Sequence, residues 1–182
     1  MIELAPPLMD TSFLTVGDQV TFNGVIYTAR DAAHQRLISL LDTGNELPFP
    51  AQGGIIYYVG PCPAKPGEVV GSAGPTTSSR MDSMTVPLLQ AGIKGMIGKG
   101  ERSQEVIDAM KCYGAVYFAA IGGAGALLAQ SIKKMELVAY PELGPEAIYR
   151  MEVKDFPAIV AIDGQGRSIY EIGRQQYESG GM

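Results

Sequence analysis

Apolar and polar residues alternate at the start of the chain. In "GDQVTFNGVIYTAR" the alternation holds on both sides of Asn23-Gly24, which predicts two strands joined by a two-residue hairpin. The period then changes. In "DAAHQRLISLLDTGN" Ala33, Leu37, Leu40 and Leu41 fall on one helical face, with Asp31 as N-cap and Gly44 as the stop. Arg30 therefore sits at a strand-to-helix junction. Four short apolar runs follow, each closing in glycine: "GGIIYYVGP", "GEVVGSAGP", "IKGMIGKG" and "AVYFAAIGG". Each reads as a strand.

Between these runs, helices are expected from about Arg80 to Ala91, Ser103 to Tyr113 and Ala124 to Met135. Pro87 divides the first, because it cannot donate to the helix ladder. The last part reads as the strands "LVAY", "AIYRMEV" and "PAIVAIDGQGRSIYEI", with a hairpin at Asp163 to Gly166 and a loosely held end over 175–182. Strands alternating with helices, with hairpins at both ends, predict a single mixed α/β domain over 1–182.

Composition narrows the function. An apolar content of 46% against 18% charged residues argues for a packed core rather than disorder. A mean hydropathy of +0.09 is high for a monomer and points to surface buried against another chain. The net charge is −5 and no basic run occurs, so the electrostatic footprint of a nucleic-acid binder is missing. "MIELAPPLMD" carries acids and prolines where an export signal needs a basic start and an apolar run. The most apolar stretch, "GAVYFAAIGGAGALLA", is short of the roughly 20 residues of a spanning helix and is broken by glycines, so no membrane span is expected. Two cysteines, Cys62 and Cys112, argue against a disulfide framework and suit a reducing cytoplasm, with burial as their usual fate. With one histidine, His34, and no CxxC or HExxH pattern, any metal in the chemistry must come from another chain.

Candidate chemistry lies in the loops that feed helix starts, where open α/β sheets gather ligands. Four loops have that placement: Arg30, the Thr76 to Arg80 loop in "VVGSAGPTTSSRMDSM", Lys99 in "GKG", and the Gly122 to Gly125 turn. Two arginines offer forked carboxylate recognition and a lysine adds a point charge, a set suited to a small dicarboxylate. Each residue also has a plainer reading. Ser79 with Asp82 fits a capping box, and Thr76 with Thr77 fits a hydroxyl-closed turn; on that stretch alone capping is favoured. Arg30 fits a surface ion pair, Lys99 a solvated turn, and His34 a packing residue one turn after Arg30. In "GGAG" the dinucleotide spacing fails, because Leu128 occupies the third glycine position. No nucleotide is expected.

Several motifs together carry a resemblance: "TARDAAHQRL", "GPCPAKPGEVVGSAGPTTSSRMD", "GMIGKG", "AIGGAGALLAQSI" and "YPELGPEAIYRMEVKDFPAIVAID". From about Leu14 to Tyr170 the chain resembles the β subunit of two-subunit class I fumarases and L-tartrate dehydratases, a region that is also the C-terminal domain of single-chain class I fumarases. The resemblance implies a swivelling β/β/α domain with a mixed sheet. It implies a hydro-lyase whose [4Fe-4S] cluster is bound by three cysteines of the partner α subunit, the open iron acting as a Lewis acid on the substrate. An assembly with two copies of each subunit is implied as well, and self-association of the isolated chain is expected.

Carried over by motif, Arg30 and Arg80 would clamp the substrate carboxylates and Lys99 would add a further cation. Thr76 would be the base that takes the carbon-bound proton, Thr77 would help hold the substrate or the loop, and His34 matches a family histidine standing behind the site. A hydroxyl is a poor base near neutral pH, so Thr76 needs nearby cations and a helix start to lower its pKa. The expected reaction is reversible hydration of fumarate to malate. L-Tartrate dehydration and a non-catalytic dicarboxylate-binding or assembly module stand as alternatives.

Overall fold

The computed structural model describes residues 1–120 and 125–179. Strands β1 (Ile2–Leu4), β2 (Gln19–Thr28), β3 (Ile55–Tyr57), β4 (Gly95–Gly98) and β5 (Val116–Ala120) run parallel to their neighbours in sequence order. Helices α1 (Asp31–Asp42), α2 (Asp82–Gln90) and α3 (Gln104–Tyr113) are the crossovers between β2 and β5. With the strand order never reversing, right-handed crossovers put all three helices on one face. After β5 come α4 (Gly125–Gln130), β6 (Ile132–Ala139), β7 (Ile148–Ile162) and α5 (Ile169–Ser179). Both β6 and β7 are antiparallel to the strands they join. The fold is mixed α/β, as expected.

β7 pairs with β2 from Arg150 to Ile159 and with β5 from Ala158 to Ile162. The pairings β2–β3–β4–β5–β7–β2 therefore form a closed circuit, with β1 and β6 added outside it. Side-chain alternation divides the apolar residues between two cores. Val20, Phe22, Ile26, Ile55, Tyr57, Ile97, Val116, Phe118, Phe156 and Val160 fill the inside of the circuit. Ile56, Tyr58, Met96, Tyr117 and Ile162 face outward onto Ala33 and Leu37 of α1, Leu88 and Leu89 of α2, and Val106 and Met110 of α3.

Several local expectations are corrected. Asn23-Gly24 is no hairpin: β2 runs straight through it with a register shift between Phe22 and Gly24. Partners on both edges hold the strand. The Asn23 amide donates to Glu3 Oε1 at 2.9 Å, and its side-chain oxygen accepts from the Asp155 N–H at 2.8 Å. Pro87 lies inside α2 and does not break it; the division falls earlier, where a 3₁₀ turn over Ser78–Met81 meets Asp82. "GEVVGSAGP" forms no strand. The helix expected to Met135 stops at Gln130, because the chain from Ile132 pairs with β7. "AIYRMEV" and "PAIVAID" are one strand, β7, turned at Asp155 with φ +53°.

The turn at Asp163 to Gly166 forms, with the Gly166 N–H on the Asp163 carbonyl at 2.9 Å, but a single bridge from Ile162 to Ser168 follows it and the chain enters α5. That helix takes in the expected loose end as far as Ser179. Arg30, not Asp31, occupies the N-cap of α1. Cys62 and Cys112 are free and exposed rather than buried. Among the described residues no helix is long and apolar enough to cross a membrane.

Phe118 packs edge-on against Phe22 inside the circuit, with ring centroids 4.9 Å apart. Phe118→Ala is expected to lower unfolding free energy by about 3–5 kcal/mol, read from urea denaturation.

Candidate active site

Four parallel strands, β2 to β5, end at one edge of the sheet, so the residues that follow them share that edge. Arg30 follows β2, Lys99 follows β4, and the Thr76 to Arg80 stretch lies beyond β3. Of the "GGAG" turn after β5, Gly122 to Ala124 lie outside the described residues. Gly125 lies against the loop before Thr76: its carbonyl accepts the Ala73 N–H at 3.1 Å, and a Cβ there would stand 2.2 Å from Ser72 Oγ.

The threonine loop is laid against the sheet by its backbone. The Thr76 N–H donates to the Tyr58 carbonyl at 2.8 Å, Thr77 forms a parallel bridge with Lys99, and the Ser78 N–H donates to the Lys99 carbonyl at 2.9 Å. Thr77 and Lys99 are therefore direct neighbours, both exposed, while Thr76 is half-buried. Ser78 Oγ sits where a Cβ on Gly98 would be, 1.9 Å from that position, so the first glycine of "GKG" is needed for the approach. Ser78 Oγ also lies 2.9 Å from the Tyr117 hydroxyl, and that hydroxyl donates to the Gly100 carbonyl at 2.9 Å. Burial pushes the Tyr117 pKa up, so the phenol stays neutral, and with its single proton on Gly100 it accepts from Ser78.

The two arginines meet over one carboxylate. Arg80 Nε donates to Asp31 Oδ1 at 2.9 Å, and Arg30 Nε lies 3.7 Å from Asp31 Oδ2 and 3.8 Å from Glu146 Oε1. Arg30 lies across Gly60, where a Cβ would stand 3.2 Å from its Cδ and Nη1. Arg30 Nε, Asp31 Oδ2 and Glu146 Oε1 are buried atoms without a hydrogen bond among the described residues. The ion pair read for Arg30 from the sequence is thus present, with Asp31 and Glu146 as its partners, and Arg80 joins it at Asp31. Neither capping motif forms: Thr77 makes no side-chain cap, and Asp82 turns its carboxylate away from Ser79 to Arg102 and the Ser103 N–H.

His34 is fully buried one turn after Arg30. Its Nδ1 is 2.9 Å from the Arg30 carbonyl, which only accepts, so Nδ1 carries the proton and Nε2 is left without a partner among the described residues. Burial pulls its pKa down to about 4, the Arg30 carbonyl opposing and the Arg102 charge assisting. It stays neutral and holds the N-terminal turn of α1 behind the arginines.

Arg102 is not legible in the sequence as a site residue. Its side chain is 0% exposed and its Nε donates to Asp82 Oδ1 at 2.6 Å. "GKGERS" gives no sign of this, since a charged residue before an N-cap serine ordinarily faces water. Among the described residues no three His, Cys, Asp or Glu side chains converge in a way that could hold a metal, so they do not fit an iron-sulfur cluster as its ligands.

An edge bearing paired guanidiniums, an exposed lysine and a run of hydroxyls is the kind of surface that binds small carboxylates. The chain belongs to the Fumarase C-terminus family, whose model matches residues 7–173. It is 46% identical over 167 residues to the anaerobic class I fumarate hydratase of Escherichia coli K12, across 90% of this chain and 30% of that protein. It is 44% identical over 158 residues to fumarate hydratase 2 of Leishmania major, across 85% of this chain and 28% of that one. A protein of Methanocaldococcus jannaschii named "Putative L(+)-tartrate dehydratase subunit beta" is 44% identical over 176 residues, 93% of this chain and 90% of its own length. The chain thus spans about 30% of the length of the fumarate hydratases and nearly all of the tartrate dehydratase subunit.

A histidine whose folded pKa is depressed contributes stability above its unfolded value, near 6.5, and loses it as pH falls toward the folded value of about 4. Unfolding free energy is expected to fall by about 3 kcal/mol through this window on account of His34. In His34→Gln that part of the slope should vanish, as measured by denaturation at a series of pH values.

Proposed function

We propose that the chain is the β subunit of a two-subunit hydro-lyase acting on a small dicarboxylate, with reversible hydration of fumarate to malate as its reaction. The observation that carries this reading is the near-complete match to a protein named as a subunit beta, joined to matches with fumarate hydratases about three times as long. Such a chain supplies part of an enzyme, and a partner α subunit supplies the rest. The cluster implied for the family then belongs to the partner, where it would provide Lewis-acid chemistry. The closed strand circuit under a helical layer supports describing the domain as the swivelling β/β/α type. Free, exposed cysteines support a cytoplasmic setting, and the positive mean hydropathy supports an assembly with two copies of each subunit.

In this reading Arg30 and Arg80 hold the substrate carboxylates and Lys99 adds charge from the neighbouring strand. Each guanidinium offers a fork that matches a carboxylate, and Asp31 fixes their spacing. Thr76 takes the carbon-bound proton of malate onto its oxygen as the carbon-carbon double bond forms and the hydroxyl leaves the adjacent carbon toward the partner. The cations around the loop favour the alkoxide it needs. Thr77 keeps the loop against Lys99. A second reading, dehydration of L-tartrate, is favoured by one observation: a relative matched over 90% of its own length carries that name.

The test is anaerobic reconstitution with the α subunit, assayed with fumarate and L-tartrate in parallel. Thr76→Ala is expected to lower turnover by at least about 100-fold with complex and cluster intact. Undiminished turnover removes Thr76 as the base, and turnover by the isolated β chain overturns the two-subunit reading.

A further inference from the structure

We propose that Arg102 is a positioning residue that fixes the contact between the Thr76–Ser78 loop and Lys99; the inference rests on the hydro-lyase reading above. A buried charge needs a reason. A buried ion pair is a weak source of stability, because well-packed apolar residues of similar volume serve as well or better. What the guanidinium adds is a rigid planar fork.

That fork reaches four separate segments. Beyond Asp82, Nη2 donates to Thr85 Oγ1 at 2.8 Å, Nη1 donates to the Tyr58 hydroxyl at 3.2 Å, and Nη1 lies 3.4 Å from Met96 Sδ. The guanidinium carbon lies 5.2 Å from the ring centres of both Tyr58 and Tyr117. Both tyrosines are one step from the candidate site. The Tyr58 carbonyl holds the Thr76 N–H, and the Tyr117 hydroxyl joins Ser78 to Gly100. Ser78 in turn holds the Lys99 carbonyl, and Arg102 itself follows Gly100 by two residues. Arg102 thus holds both tyrosines that fix the loop, from beneath and out of reach of substrate.

The test uses the reconstituted complex, with turnover expressed per intact cluster so that a fall in folded material does not count. Arg102→Lys keeps the charge and loses the fork. It is expected to lower kcat at least about tenfold, since displacement of a reacting group by about 1 Å costs up to about 100-fold. KM should change by less than about threefold. The primary deuterium isotope effect, with substrate labelled at the carbon that loses its proton, should rise as proton removal becomes slower. Wild-type kcat per cluster, or a lower kcat with an unchanged isotope effect, overturns the proposal. If Arg102→Lys fails to assemble, Tyr117→Phe takes its place: it keeps the ring over the guanidinium and removes only the hydroxyl. The same isotope signature is expected there, and wild-type turnover overturns the proposal. Thr76→Ala in parallel separates the two claims. Its loss of activity beside a wild-type Arg102→Lys sinks the positioning role alone; full activity in Thr76→Ala removes Thr76 as the base and the positioning inference with it, and the function reading itself falls only if the wild-type complex turns over neither fumarate nor L-tartrate.

Discussion

Everything at the candidate site depends on strand β7 finding two partners at once. By pairing with β2 along most of its length and with β5 at its end, it closes the sheet. Closure buries Phe22, Phe118 and Phe156 inside and leaves the outer face to three helices. Those helices are crossovers in a run of parallel strands, so their starting loops gather at one edge. The candidate residues therefore share one edge of the sheet although they are spread from Arg30 to Lys99 along the chain.

Two cationic devices with different physics meet at that edge. Arg30 and Arg80 share Asp31 at the rim: Arg80 is half-exposed, where solvent screens it, while Arg30 is more deeply set, with its Nε buried against Asp31. Arg102 lies beneath, its side chain fully buried and each of its nitrogens partnered, where it can hold neighbours but is out of reach of a ligand. His34, kept neutral by burial, stands behind Arg30 and holds its backbone without adding charge.

Much of this is legible in the sequence, for identifiable reasons. Short apolar runs closing in glycine mark β3, β4 and β5, which are buried on both faces between the two cores, and helical stretches mark α1 and α3, which bury one face against the sheet. The strand-to-helix junctions by themselves put Arg30 and Lys99 at the same edge of the sheet. Local pattern misleads where tertiary pairing overrides it. Asn23-Gly24 has the residues of a tight turn, yet β1 and β7 hold it extended. Ile132 to Met135 continues a helical pattern, yet β7 takes it into the sheet. Arg102 carries no local signal at all: its burial is set by Asp82, Thr85 and two tyrosines that come together only in the folded chain.

Under the proposed function, Asp31 has a bearing on selectivity. Its carboxylate already contacts both arginines, so an arriving acid group meets no bare cationic hollow but a position held by a group like itself. On that reading a substrate carboxylate shares the two guanidiniums with Asp31 and competes with it for their charge. A molecule with one acid group gains little from such a competition. On the same proposal, one with two acid groups set apart by a short rigid spacer would also engage Lys99, which Asp31 does not satisfy, and the chain's own side chain becomes the competitor against which every visitor is measured.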